Sequence, residues 1–143
     1  MTVYLDTSSL VKLYIEEAGG NDVRQDLADA ATGATSLVAY AEARATFARL
    51  RRQGTITPAA HRAVKRDFDE DWPKYLVVEP TLELCQMAGD LADRYHLRGF
   101  DAIHLATFLQ VASDARPAET RFSSFDRRLN QAATSALRSA RRG

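Results

Sequence analysis

Four short β-prone runs in this chain are each separated from the next by one or more helical stretches, and that alternation restricts the fold more than any single residue does. The runs are Thr2-Val3-Tyr4-Leu5, Gly33-Ala34-Thr35-Ser36, Tyr75-Leu76-Val77-Val78 and the segment from Thr120 to Phe125. Strands this far apart cannot pair as tight hairpins. They need crossovers, and helical crossovers produce a parallel sheet sandwiched by helices, an α/β fold. A total of 143 residues leaves room for one such domain and little else.

The helices announce themselves by spacing and punctuation. Leu10, Leu13 and Tyr14 share a face before Gly19-Gly20, and a second helix is expected from Asn21 as cap to Ala31. A third spans residues 37–53 and closes at Gly54. Thr57-Pro58 opens a fourth that ends near Trp72-Pro73. From Thr81, Leu84, Met87, Ala88, Leu91, Ala92 and Tyr95 recur as one buried stripe. After Gly99, residues 102–112 are apolar nearly all round, which predicts a central helix. A loop containing Pro117 then leads to the last strand, and Asp126 opens a final helix expected to dissolve into a flexible basic tail at 138–143.

Charge excludes some functions. The 19 basic and 19 acidic residues cancel, which disfavours a purely electrostatic wrapper of nucleic acid, although 16 of the basic residues are Arg, the side chain suited to bidentate phosphate contacts. Cys85 is alone, so no internal disulfide forms and a reducing, cytoplasmic setting is expected; its neighbours Leu84 and Met87 suggest a small core residue. No apolar run approaches a membrane span, and no basic-then-apolar leader opens the chain. Phosphate-loop, dinucleotide and nucleophile-elbow glycine patterns are absent, so Ser8 and Ser9 do not read as nucleophiles.

By spacing, most of the acids are expected to sit on solvated helix faces with weak ion pairs, Asp69 with Lys65 and Asp90 with Arg94. Asp6, Glu42, Asp101 and Asp126 differ. Asp6 ends the first strand and Asp126 follows the last, so both should emerge at the carboxyl edge of the sheet, where open α/β folds place ligands. Asp101 begins the most apolar helix. Glu42 has only Val38, Ala39, Ala45 and Thr46 within one turn, none able to neutralise it. Taken singly, each of the three aspartates stands where a helix cap would stand, and Glu42 could be an exposed helix residue. If the four converge, repulsion raises some of their pKa values unless a cation sits among them, and an all-oxygen set suits Mg²⁺ or Mn²⁺. His104, three residues after Asp101, reads as a packed or supporting histidine; His61 and His96 read as surface residues.

At these positions the sequence resembles a PIN domain, specifically the short toxin of the VapBC toxin–antitoxin type. The resemblance rests on Val3-Tyr4-Leu5-Asp6-Thr7-Ser8, on Glu42, on Asp101-Ala102-Ile103-His104-Leu105-Ala106 and on the segment from Phe122 through Asp126 to Leu129, and it spans essentially the whole chain, residues 1–143. It implies an acidic metal cluster at Asp6, Glu42, Asp101 and Asp126, with supporting hydroxyls at Ser8 and at Ser124, where the family more often has Thr. It further implies a Mg²⁺- or Mn²⁺-dependent endoribonuclease, neutralised by a small antitoxin encoded beside it and commonly paired as a homodimer. An acidic pocket repels RNA, so Arg44, Arg49, Arg51, Arg52, Arg127 and Arg128 are candidate flanking contacts. The rival readings are a PIN-like scaffold that binds RNA or protein without cutting, and a haloacid-dehalogenase-like phosphatase. The latter needs a second Asp where this chain has Ser8.

Overall fold

β1 (Thr2–Leu5) pairs in parallel with β2 (Thr32–Ser36) on one side and β4 (Thr120–Ser123) on the other. β2 pairs in parallel with β3 (Leu76–Val78), so the order across the sheet is β3-β2-β1-β4. The structure, a computed structural model, describes residues 1–116 and 119–143. The expected Pro117 loop falls partly at 117–118, outside the described residues. The connecting helices are α1 (Thr7–Lys12), α2 (Gly20–Asp29), α3 (Val38–Arg52), α4 (Pro58–Asp71), α5 (Leu82–Tyr95), α6 (Gly99–Asp114) and α7 (Arg127–Arg142). The parallel sheet between helical layers is the α/β architecture expected from the alternation.

The period of two in β1 divides the core between the two faces of the sheet. Val3 and Leu5 pack with Leu10, Val23, Phe47 and Phe68 under α1 to α4. Tyr4 points the other way, into Leu105, Phe108 and Leu129 of α6 and α7. A third patch, Leu84 and Ala88 against Ala102 and Ala106, fastens α5 to the outside of α6. That is why α6 is apolar nearly all round: it is covered from two directions. β2 contains Gly33 because space demands it. A Cβ there would stand 2.7 Å from Leu27 Cδ1 and 3.3 Å from Tyr75 Cδ1.

Thr57 caps α4 as expected, its Oγ1 accepting from Ala60 N at 3.0 Å, and Thr81 caps α5 in the same way, accepting from Leu84 N at 3.2 Å. Some expectations are corrected. α2 starts at Gly20 behind left-handed Gly19 (φ 87°), not behind an Asn21 cap. Cys85 is exposed, because the buried face of α5 runs through Leu84 and Ala88 and the next position along turns outward; Met87 is also 37% exposed. α7 continues as helix through Arg142, where a tail from 138 was expected: the buried Ala132, Ala133 and Ala136 pin it to the core. His61 is buried rather than on the surface, 7% exposed. Among the described residues no helix is long and apolar enough to cross a membrane.

Gly89 has no such spatial reason. It lies inside α5, and a Cβ there meets nothing within 4 Å. Gly89→Ala is therefore expected to stabilise the protein by about 0.5–1 kcal/mol through helix propensity, read as a higher midpoint in urea unfolding with an unchanged slope. A lower midpoint would show that an unseen neighbour needs this space.

Candidate active site

The carboxyl ends of β1 and β4 meet at Asp6, whose backbone N–H donates to Ser123 O at 3.1 Å. Asp6 leaves the strand in an extended conformation and caps α1. Its Oδ1 accepts from Ser9 N at 3.0 Å and from Ser8 Oγ at 2.6 Å, and its Oδ2 accepts from Ser124 Oγ at 2.5 Å. The carboxylate is 4% exposed and fully oriented by these donors. Both serine hydroxyls are used twice: Ser8 Oγ also accepts from Phe125 N and Ser124 Oγ from Asp126 N, each at 3.0 Å. Ser8 and Ser124 thus tie the end of β1 to the segment after β4.

Asp126 caps α7, accepting from Leu129 N at 2.9 Å. The expectation that aspartates stand at caps therefore holds for Asp6 and Asp126. It fails for Asp101. The N-cap of α6 is Arg98, and the helix begins at Gly99, so Asp101 lies inside the first turn. Its carboxylate accepts no side-chain hydrogen bond among the described residues.

Glu42 is half-buried on α3 and has the partners its own helix lacks. Thr7 Oγ1 donates to Oε1 at 2.7 Å, and His104 Nε2 donates to the same oxygen at 2.9 Å. His104 is buried, with Nδ1 at 2.8 Å from the hydroxyl of Tyr4. A chain of polar contacts thus joins β1, α6, α1 and α3. Burial works to raise the Glu42 carboxyl, but the hydrogen bonds from His104 and Thr7 and the His104 charge outweigh it and hold it below its usual value.

Asp101 is shifted the other way. Burial raises its carboxyl, and the charges of Asp126, Asp6 and Glu42 raise it further against the opposing pull of His104. The four acids that sequence singled out therefore share one electrostatic neighbourhood. Asp6, Asp101 and Asp126 enter none of the ion pairs among the described residues. Oxygen donors with uncompensated negative charge fit a hard divalent cation. The fit is one of charge and donor type: among the described residues no three His, Cys, Asp or Glu side chains form a group that could hold an ion as they stand.

The sign of the Asp101 shift has a measurable consequence. A folded-state pKa above the unfolded value, about 3.9, means that ionising Asp101 costs stability at neutral pH. That cost vanishes as pH falls through the raised value toward the unfolded one. Asp101→Asn is expected to raise the melting temperature in EDTA at pH 7, by an amount worth about 1 kcal/mol or less because the group is partly solvated. The gain should close toward acid pH. A variant less stable than wild type at pH 7 would show that the neighbouring acids do not burden this position.

Glu42 and Asp101 also line a cavity of about 530 Å³ with Arg98, Gly99, Phe100 and Ile103. Sequence reasoning missed Arg98 and Phe100, although they directly precede Asp101; Gly99 read as an interruption, whereas the helix begins there. Of the expected basic flank, Arg127 lies beside Ser124 and Phe125. Arg128 Nη1 donates to His96 O at 3.4 Å, and Arg44 Nη1 donates to the Tyr40 hydroxyl at 3.0 Å. Arg49, Arg51 and Arg52 occupy the last turn of α3, about 10 Å or more along the axis from Glu42, and are exposed. His96 is exposed, as expected, and ends α5 in a left-handed conformation (φ 55°).

The PIN domain family model matches residues 3–134. Ribonuclease VapC45 of Mycobacterium tuberculosis (strain CDC 1551 / Oshkosh) is 36% identical over 136 residues, covering 94% of this chain and 90% of that protein. Ribonuclease VapC49 of Mycobacterium tuberculosis (strain ATCC 25618 / H37Rv) matches with the same identity and coverage. The fold agrees with these matches, and the chain belongs to the PIN-domain family.

Proposed function

We propose that residues 1–143 form a single PIN domain that acts as a toxin-type endoribonuclease, hydrolysing RNA phosphodiesters with Mg²⁺ or Mn²⁺ at Asp6, Glu42, Asp101 and Asp126. The observation that carries this reading is geometric: the Asp6 carboxylate, held by Ser8, Ser9 and Ser124, stands at the carboxyl edge of the sheet, and Glu42 and Asp101 line one cavity. The ribonuclease names of its relatives support it. A divalent cation bound at these carboxylates supplies Lewis acidity toward the phosphate and a bound water of lowered pKa.

The chain's own contribution is orientation. Ser8, Ser9 and Ser124 fix the Asp6 carboxylate; Thr7 and His104 fix Glu42; the α7 cap fixes Asp126. Asp101 is the member without such an anchor and adjusts to what binds. A mechanism of this kind does not need the ribose 2′-hydroxyl as nucleophile, so preference for RNA must come from binding contacts. Neutralisation by a cognate VapB-type antitoxin, a homodimeric state and a cytoplasmic location belong to the same reading.

Incubation of the protein with a pool of structured RNAs in Mg²⁺, Mn²⁺ or EDTA tests it. Discrete products that require metal are expected. A folded, antitoxin-free protein that binds the pool and never cuts it would make the chain an RNA-binding module.

A further inference from the structure

Phe100 is the large aromatic that the fold leaves without a role. It lies in the first turn of α6, is 55% exposed, and borders the cavity shared by Glu42 and Asp101. The other strongly exposed phenylalanine, Phe125, has the Lys12 ammonium 4.5 Å from its ring centre. No aromatic ring or cation is paired with Phe100 among the described residues. Arg98, two residues earlier on the same rim, enters none of the ion pairs either. A free aromatic face beside an unpaired guanidinium is the combination that grips single-stranded nucleic acid: the ring stacks on a base and the cation meets a phosphate. The cavity volume, about 530 Å³, lies within the roughly 300–1,000 Å³ range of small-ligand pockets. No described residue outside the immediate chain neighbours and the α6 backbone comes within 4 Å of where a Cβ on Gly99 would stand, so nothing from elsewhere in the fold covers this stretch of the rim.

We propose that Phe100 and Arg98 form a nucleotide subsite beside the acids, in which Phe100 stacks on an unpaired base and Arg98 holds an adjacent phosphate. The subsite rests on the nuclease reading for its substrate, and it gives that reading a selectivity. A base must leave its helix to reach Phe100, so loops and single strands bind and continuous duplex does not. Stacking is tolerant of base identity, so the subsite selects strandedness rather than sequence.

The test uses a short single-stranded oligoribonucleotide carrying 2-aminopurine, whose fluorescence is quenched when the base stacks, mixed with the full-length protein in Mg²⁺ and in EDTA. Wild type should quench it and bind it in preference to the same oligonucleotide in a duplex. Phe100→Ala should abolish the quench and weaken binding about 10-fold, while Phe100→Tyr, which keeps the ring, should retain both. Arg98→Ala should keep the quench at saturation and lower the slope of log affinity against log salt by about one. Phe100→Ala that quenches and binds like wild type overturns the subsite, and so does a wild type that shows no quench. Cleavage is read separately. A wild type that cuts RNA, beside a Phe100→Ala variant that quenches and binds as wild type does, leaves the nuclease standing and removes the subsite. One that shows Phe100-dependent quenching yet never cuts does the reverse.

Discussion

Asp6→Asn should lower metal-dependent RNA cleavage by about 10³-fold, the scale on which removal of a single group that stabilises reacting charge is felt, and should leave the protein folded. The two halves of that expectation follow from the same contacts. The Asp6 side chain caps α1 through Ser9 N, and Asn caps a helix as well as Asp does. The amide nitrogen would face Ser8 or Ser124, whose hydroxyls can accept a further bond. What the variant loses is a negative charge buried at the carboxyl edge of the sheet, held by three donors and matched by no cation among the described residues. The informative measurement pairs single-turnover cleavage in Mg²⁺ or Mn²⁺ with a thermal melt of the same preparation. A melting temperature near wild type with cleavage gone assigns the carboxylate to the chemistry. Cleavage within about tenfold of wild type would make Asp6 a cap and no more, and would remove the strongest member of the proposed metal set.

How much of this was legible in the sequence depends on whether a residue's role is set by its neighbours in the chain. β1 was legible because its run is β-prone throughout and buried on both faces, so composition and burial agree. β3 and β2 show the opposite. Tyr75-Leu76-Val77-Val78 is the most strand-like run in composition, yet β3 is three residues long and half-exposed at the sheet edge. Thr32–Ser36, small and polar, is interior, held by pairing on both sides and by Thr35 Oγ1 donating to Leu5 O at 2.7 Å. Propensity reports how a side chain suits a pleat, not how many strands lie beside it. The four acids could be picked out by their places at strand ends and in apolar helices, although Asp6 and Asp126 do have local capping partners in Ser9 N and Leu129 N. The distant partners come from 35 and 62 residues away for Glu42 and from 118 away for one oxygen of Asp6, distances at which no periodicity carries a signal. Arg98 and Phe100 were hidden by Gly99, a residue that ends helices more often than it starts them.

His104→Ala should be the most damaging single change to stability near the site, costing about 2–4 kcal/mol, the scale for opening a void in a packed core and leaving a buried polar group without its partner. The ring fills a fully packed position and serves two polar groups at once. A carboxylate only accepts, so His104 Nε2 carries the proton shared with Glu42 Oε1, and Nδ1 faces the Tyr4 hydroxyl. Burial holds that hydroxyl's pKa well above its usual value, and the charges of Asp6 and Glu42 push the same way against the Thr107 and Ser36 hydrogen bonds, so it stays protonated. Alanine would leave Glu42 with Thr7 alone and leave Tyr4, whose side chain is wholly buried, without its imidazole partner. It would also open a void against Tyr4, whose ring meets the imidazole edge-on at 5.9 Å. Because Glu42 owes its lowered pKa partly to this histidine, the loss should shrink as pH falls and the glutamate protonates. Urea unfolding at pH 7 and at about pH 4 reads both effects, and a double-mutant cycle with Glu42→Gln isolates the pair. A coupling near zero, with a pH-independent loss, would mean that His104 acts through packing alone and that Glu42 is oriented by Thr7 without it.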